Sequence, residues 1–175
     1  MSTIGVAIAV PEPWGTHLQD YRTALGDETA QGIPTHITLM PPFEIEPEHL
    51  TAVEQHLAEA SANNSAFKIH LRGTGTFRPV SPVVFVVVVE GISACEQLAF
   101  SVRRGPLATD LQFPYHPHVT VAHHLDDDSL DRAFEDLASF ECDFTADRFS
   151  LYVHDAGTGW VPTRDFPLTA AADPA

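Results

Sequence analysis

Two tetrapeptides, His36-Ile37-Thr38-Leu39 and His118-Val119-Thr120-Val121, repeat one arrangement: histidine, apolar residue, threonine, apolar residue. In an extended strand residues i and i+2 share a face. Each tetrapeptide therefore lays a His and a Thr on one side and two apolar side chains on the other. Such a strand needs a core behind it and an open space in front of it. Two of them, 82 positions apart (118 minus 36), ask for a fold in which two equivalent strands meet across a gap. A third match, His49-Leu50-Thr51-Ala52, does not qualify. It opens the stretch EPEHLTAVEQHLAEASA, which has acids in its first turn and apolar residues at Leu50, Val53, Leu57 and Ala60, a helical spacing. On a helix i and i+2 point to different sides, so His49 is read as a solvated helix residue.

The segments around the two tetrapeptides recur in order. Strand patterning over residues 3–10 is followed by a helix over 13–25, a strand over 36–40 stopped by Pro41-Pro42, the helix from Pro47, a strand over 67–71 and a turn at Gly73 and Gly75. The second pass gives a strand over 83–89, a helix over 93–104, a Pro-rich loop, a strand over 118–123 and a helix from Asp126 to about Ser139. Strands over 149–153 and 159–166 finish the pattern. The expectation is one two-lobed domain over residues 1–169, an internal repeat with halves of about 1–75 and 80–169, and a loose tail at 170–175.

Charge narrows the partners. Twenty-four Asp and Glu stand against nine Lys and Arg, a formal charge of −15. Such a field repels long polyanions and removes the usual non-specific attraction to nucleic acid, so a phosphate-bearing substrate is expected to be small or to be a chain end gripped locally. Cys95 and Cys142 lie far apart with no CxxC spacing and read as reduced, partly buried thiols. The opening MSTIGVAIAV lacks a basic leader and reads as a first strand. The apolar run at 83–89 is too short to span a bilayer. A cytoplasmic protein, monomeric and without membrane contact, is the expectation.

Phosphodiester cleavage needs one group to take a proton from the nucleophile and another to give a proton to the leaving oxygen. Histidine, with an ordinary pKa of about 6.5, can do either near neutrality. A threonine hydroxyl donates to a phosphate oxygen, and its β-branch stiffens it on a strand. Two His-Thr pairs facing one another would surround a single phosphate.

The residues Thr35 to Phe43 (THITLMPPF) and Phe113 to His124 (FPYHPHVTVAHH) resemble the paired motifs of the 2H phosphoesterases, a superfamily that includes 2′-5′ RNA ligase-like proteins and cyclic nucleotide phosphodiesterases. The duplicated order and the length fit as well, so the resemblance covers essentially the whole chain. It implies an α+β, bilobal fold, with two pseudo-symmetric lobes whose antiparallel sheets face a central cleft and whose helices lie outside. It implies hydrolysis of a 2′,3′-cyclic phosphate on a nucleotide or RNA end without metal or cofactor, or reversible 2′-5′ ligation. By motif position His36 and His118 would be the acid/base pair, in either order, and Thr38 and Thr120 would hold the phosphate. RNA-ligating relatives often carry a basic residue soon after the second motif. Here His123 and His124 stand there, which with the acidic charge counts against ligation. Met40-Pro41-Pro42-Phe43, without glycine, is similar to a less characterised bacterial branch.

Beside the motifs, Tyr115 and Phe43 are candidate stacking partners for a base, and Arg78 a candidate for offsetting phosphate charge. Arg103 and Arg104, ending a helix, suit its dipole. His116, His118, His123 and His124 raise the question of zinc. The stretch has no nearby Cys and no HExxH pattern, and a structural zinc site wants four ligands. Asp126 to Asp128 read as a helix N-terminus. Competing readings are another cyclic phosphoester hydrolase, a ligase, or a phosphate- or nucleotide-binding module without turnover.

Overall fold

In the computed structural model, which describes residues 1–170, β1 (Ser2–Ala9) pairs antiparallel with β2 (His36–Ile45) on one side and with β7 (Arg148–Asp155) on the other. β8 (Gly159–Pro167) adds to β7 and completes a sheet of order β2-β1-β7-β8. The second sheet has the order β5-β4-β3-β6, from β3 (Phe67–Thr76), β4 (Val83–Glu90), β5 (His118–His123) and β6 (Glu141–Ala146), all antiparallel. The sheets do not divide at the middle of the chain: β3 joins the second sheet, and β7 with β8 closes the first. The two His-x-Thr strands, β2 and β5, take equivalent edge positions. This is the bilobal α+β arrangement. Apart from Ala170, the tail expected at 170–175 lies outside the described residues.

Four helices, α1 (Trp14–Leu25), α2 (Leu50–Ala62), α3 (Ile92–Val102) and α4 (Asp127–Asp136), connect the strands. Asp126 caps α4 by accepting from the Ser129 amide at 2.8 Å, so the acidic run serves the helix end. His49 lies exposed in the 3₁₀ turn Pro47–His49 before α2. Ile37 and Leu39 of β2 and Val119 and Val121 of β5 are fully buried in one core with Leu18, Leu57, Leu98 and Phe149. Burying each such side chain is worth roughly 1.5–3 kcal/mol, and a one-residue slip of either strand would expose its set. Cys95 and Cys142 are free and buried.

Three elements differ from the sequence-based expectation. β2 does not stop at Pro41-Pro42 but continues to Ile45. An edge strand spares the ladder amides that proline lacks, and the β1 register slips between Ile4 and Val6, opposite these prolines. β3 likewise runs through Gly73 and Gly75 to Thr76. Gly73, at φ 71°, sits where the β3–β4 register shifts between Leu71 and Thr74, a position that favours glycine. β6 was not anticipated at all, although Cys142, Phe144 and Ala146 alternate inward with exposed Glu141, Asp143 and Thr145.

Candidate active site

β2 and β5 share more than a tetrapeptide. Along each strand the burial alternates half-buried, buried, half-buried and then two buried residues in succession: His36 to Met40, and His118 to Ala122. The doublet marks a bulge. Thr38 and Met40 oppose the adjacent residues Ala7 and Val6, and Thr120 and Ala122 oppose Phe85 and Val84. The extra residue resets the alternation. In β5 it returns His123 to the face that carries His118 and Thr120.

Each motif histidine is oriented in the same way. His36 Nδ1 lies 2.7 Å from the carbonyl of Pro34, and His118 Nδ1 lies 2.7 Å from that of His116. A carbonyl only accepts, so both rings carry the proton on Nδ1 and leave Nε2 with a lone pair. Burial drives the His36 imidazole down to about 4, against the Pro34 carbonyl, which favours the charged ring; Arg22 and His118 push it down further. His118 is also lowered, first by burial and then by the neighbouring His116, with its own carbonyl partner opposing. Both histidines are therefore neutral at pH 7.

Two chambers open in front of them. One, of about 340 Å³, is lined by His36, Arg22, Trp160 and Tyr152 among others. The other, of about 700 Å³, is lined by His118, His116, Phe77, Phe113 and Tyr115 among others. Thr38, Thr120 and His123 line both and so stand at the junction. The larger chamber is mostly apolar. Its floor holds His118 edge-on to Phe77, ring centroids 4.9 Å apart at 87°, and against Phe85 at 5.3 Å and 62°.

The remaining sequence candidates distribute unevenly. Tyr115 forms part of the larger chamber's wall, with its hydroxyl donating to the Thr38 carbonyl at 2.8 Å and the Arg103 guanidinium 5.6 Å from its ring centre. Phe43 lines neither chamber and faces a separate surface depression beside Thr109 and Leu111. Arg78 also lies outside both; it pairs with Asp131 at 2.9 Å and Asp127 at 3.6 Å on α4 and donates to Thr76. His124, at φ 55°, packs its ring against His123 at 3.7 Å. Among the described residues no three His, Cys, Asp or Glu side chains are disposed to share one metal ion.

Sequence reasoning missed Arg22, Phe77 and Trp160, and weighed His123 only against ligation and zinc. The signal for Arg22 was present: it follows Leu18 by four residues, on the apolar stripe of α1. Among the described residues no Asp or Glu lines either chamber, in a chain with 24 of them.

The 2′-5′ RNA ligase superfamily model matches residues 10–158. A candidate phosphoesterase of Bacillus cytotoxicus is 30% identical over 140 residues, 78% of this chain and 80% of its own length. One of Oceanobacillus iheyensis is 27% identical over 156 residues, 86% and 91% of the two chains. Among solved structures, Escherichia coli LigT complexed with 3′-AMP superposes with a TM-score of 0.66 at 19% identity, covering 96% of this chain and 98% of that one. That likeness speaks for the fold.

Proposed function

This chain belongs to the 2′-5′ RNA ligase superfamily and is a phosphoesterase-type protein, and we propose that it hydrolyses a 2′,3′-cyclic phosphate on a nucleotide or an RNA end. The observation that carries this reading is the matched pair of histidines, each fixed as the Nδ1-H tautomer by a carbonyl two residues upstream. Each presents Nε2 beside a threonine on an edge strand, so one ring can accept a proton while neutral and the other can donate one once protonated, as in-line displacement at a phosphorus between them needs.

In this scheme the phosphate sits at the junction of the chambers, with Thr38 and Thr120 donating to its non-bridging oxygens. The chamber beside His118 lies within the usual range for small-molecule sites and takes the nucleoside. Its companion takes the attacking water. His36 Nε2 accepts a proton from that water as its oxygen bonds to phosphorus. The bond to one ribose oxygen breaks, and protonated His118 delivers a proton to it. One water is consumed and one monoester with a free hydroxyl is released. Thr38, Thr120, His36 and His118 contribute no permanent charge, so a small monoanionic diester suits the site better than a long polyanion. LigT structures holding 3′-AMP, NADP+ and ATP agree with a small nucleotide ligand.

Incubation of the metal-free protein, in chelator, with 2′,3′-cyclic AMP, GMP, CMP and UMP tests this, with products separated by chromatography. A nucleoside monophosphate is expected from at least one substrate, and the position of its phosphate gives the regiochemistry. Intact substrate in all four reactions would sink the cyclic-phosphate reading.

A further inference from the structure

We infer that Arg22 is the fixed positive charge that binds the substrate's phosphate, held for that purpose by Asp27; this rests on the phosphoester reading above and adds a residue that reading does not use.

Arg22 lies on the buried side of α1 with Gly15 and Leu18, only 3% exposed. A charge in that position is costly unless it is paired. The partner is Asp27, just past the helix end: Nη2 and Nε donate to its Oδ2 at 2.8 and 3.1 Å, and Nη2 also reaches Thr29 Oγ1 at 3.1 Å. Asp27 is fixed in turn. Its other oxygen accepts from the Thr29 amide at 3.0 Å and caps the 3₁₀ turn Glu28–Gly32. Burial raises the Asp27 carboxyl, but the hydrogen bonds from Thr29 and then from Arg22, with the charge of Arg22, hold it below its ordinary range.

This bonding leaves Nη1. It makes no hydrogen bond among the described residues, yet it is not a sealed, unsatisfied nitrogen: among those residues the one buried side-chain polar atom without a partner is Arg103 Nε. Arg22 is instead part of the wall of the chamber that holds His36 and His123. The ion pair engages the Nε–Nη2 edge of the guanidinium and leaves Nη1 as the nitrogen available to a ligand in that chamber. A guanidinium so fixed is pre-organised for a phosphate oxygen.

Charge bookkeeping over the cleft points the same way. Among the described residues neither chamber is lined by a lysine, a second arginine or any carboxylate. With both motif histidines neutral in the resting site, Arg22 is, among the described residues, the one lasting positive charge available to a phosphate there. An α1 that needed only packing would be served as well by an apolar residue at this position, since buried ion pairs seldom outperform well-packed hydrophobes.

The bland alternative is that Arg22 merely staples α1 to the Asp27–Thr29 loop. Calorimetric titration of inorganic phosphate at pH 7 and low salt, in chelator, separates the two when run on the wild type, R22M and R22K alongside thermal melts. Folded R22M is expected to bind phosphate about tenfold to a hundredfold more weakly, the range for one charged hydrogen bond. Wild-type affinity in folded R22M, or no phosphate binding by the wild type, would overturn the inference. Should R22M not fold, R22K gives the reading. A lysine cannot hold Asp27 and the ligand at once, so weaker binding is expected, and unchanged binding overturns the proposal. A wild type that binds phosphate through Arg22 but turns over no cyclic nucleotide would defeat the hydrolase reading alone. Equal kcat/KM for R22M and wild type would defeat this inference alone.

Discussion

The hydroxyl of Tyr115 donates to the main-chain carbonyl of Thr38 across 2.8 Å, joining the loop before one His-x-Thr strand to the middle of the other. β2 and β5 belong to different sheets, so this bond ties the two halves of the cleft at the residue that would hold the phosphate. It also commits the hydroxyl proton, so Tyr115 has no O–H left to donate to a substrate.

Removing that tie should loosen the site more than the fold. Tyr115→Phe keeps the ring and leaves the Thr38 carbonyl without this donor. Stability is expected to fall by about 0.5–1.5 kcal/mol in urea unfolding. kcat/KM is expected to drop several-fold, since small misplacements of phosphate-binding groups are felt in rate. Unchanged activity at lowered stability would show that Tyr115 matters only for packing.

The two lowered histidines set the pH dependence. In the proposed scheme the base, His36, works when neutral and fails as pH falls through about 4. The acid, His118, works when protonated, and its lowered pKa places its loss below the ordinary value of about 6.5. The kcat/KM profile is therefore expected to be a bell on the acidic side of neutrality, declining before pH 7. Stability runs with the opposite requirement. The unfolded chain protonates His36 at about 6.5 and the folded chain at about 4. The contribution is complete above about 6.5 and shrinks as pH falls towards 4, by up to ~1.4 kcal/mol per pH unit. His36→Asn should flatten that acid slope in pH-dependent melts.

Gly75 supports His118 from a distance. A Cβ placed there would lie 2.7 Å from the Phe85 ring, and that ring packs on His118 at 5.3 Å. Gly75→Ala is expected to cost about 1–3 kcal/mol by overpacking and to lower kcat by shifting His118. A thermal melt with parallel kinetics checks both. An alanine variant as stable and as active as the wild type would mean the ring can retreat freely.

What was legible in the sequence follows from the range of each signal. The alternation in His36–Leu39 and His118–Val121 is a property of neighbouring residues, so it placed the strands, their inward faces and the two histidines. The extent of β2 and β3 was not legible. Whether Pro41-Pro42 or Gly73 ends a strand depends on whether that strand lies at an edge or carries a bulge, which only the partner strand decides. Arg78 drew attention as a loop cation, but its charge is spent on Asp127 and Asp131 of α4. Arg22 was passed over for the converse reason, although its spacing from Leu18 put it on the inward stripe of α1. A helical arginine looks solvated until the packing shows it on the core side with Asp27. His123 needed the bulge in β5, since strict alternation turns it away from His118.

The central claim is that two histidines share one phosphate. The most direct measurement is the turnover of the preferred cyclic nucleotide, in chelator, by His36→Ala, His118→Ala and the double variant, each shown to be folded by circular dichroism. Each single variant is expected to lose about 10²- to 10⁴-fold in kcat, and the double variant far less than the product of the two losses, because the pair acts as a unit. Near-wild-type turnover in either folded single variant would contradict the two-histidine mechanism.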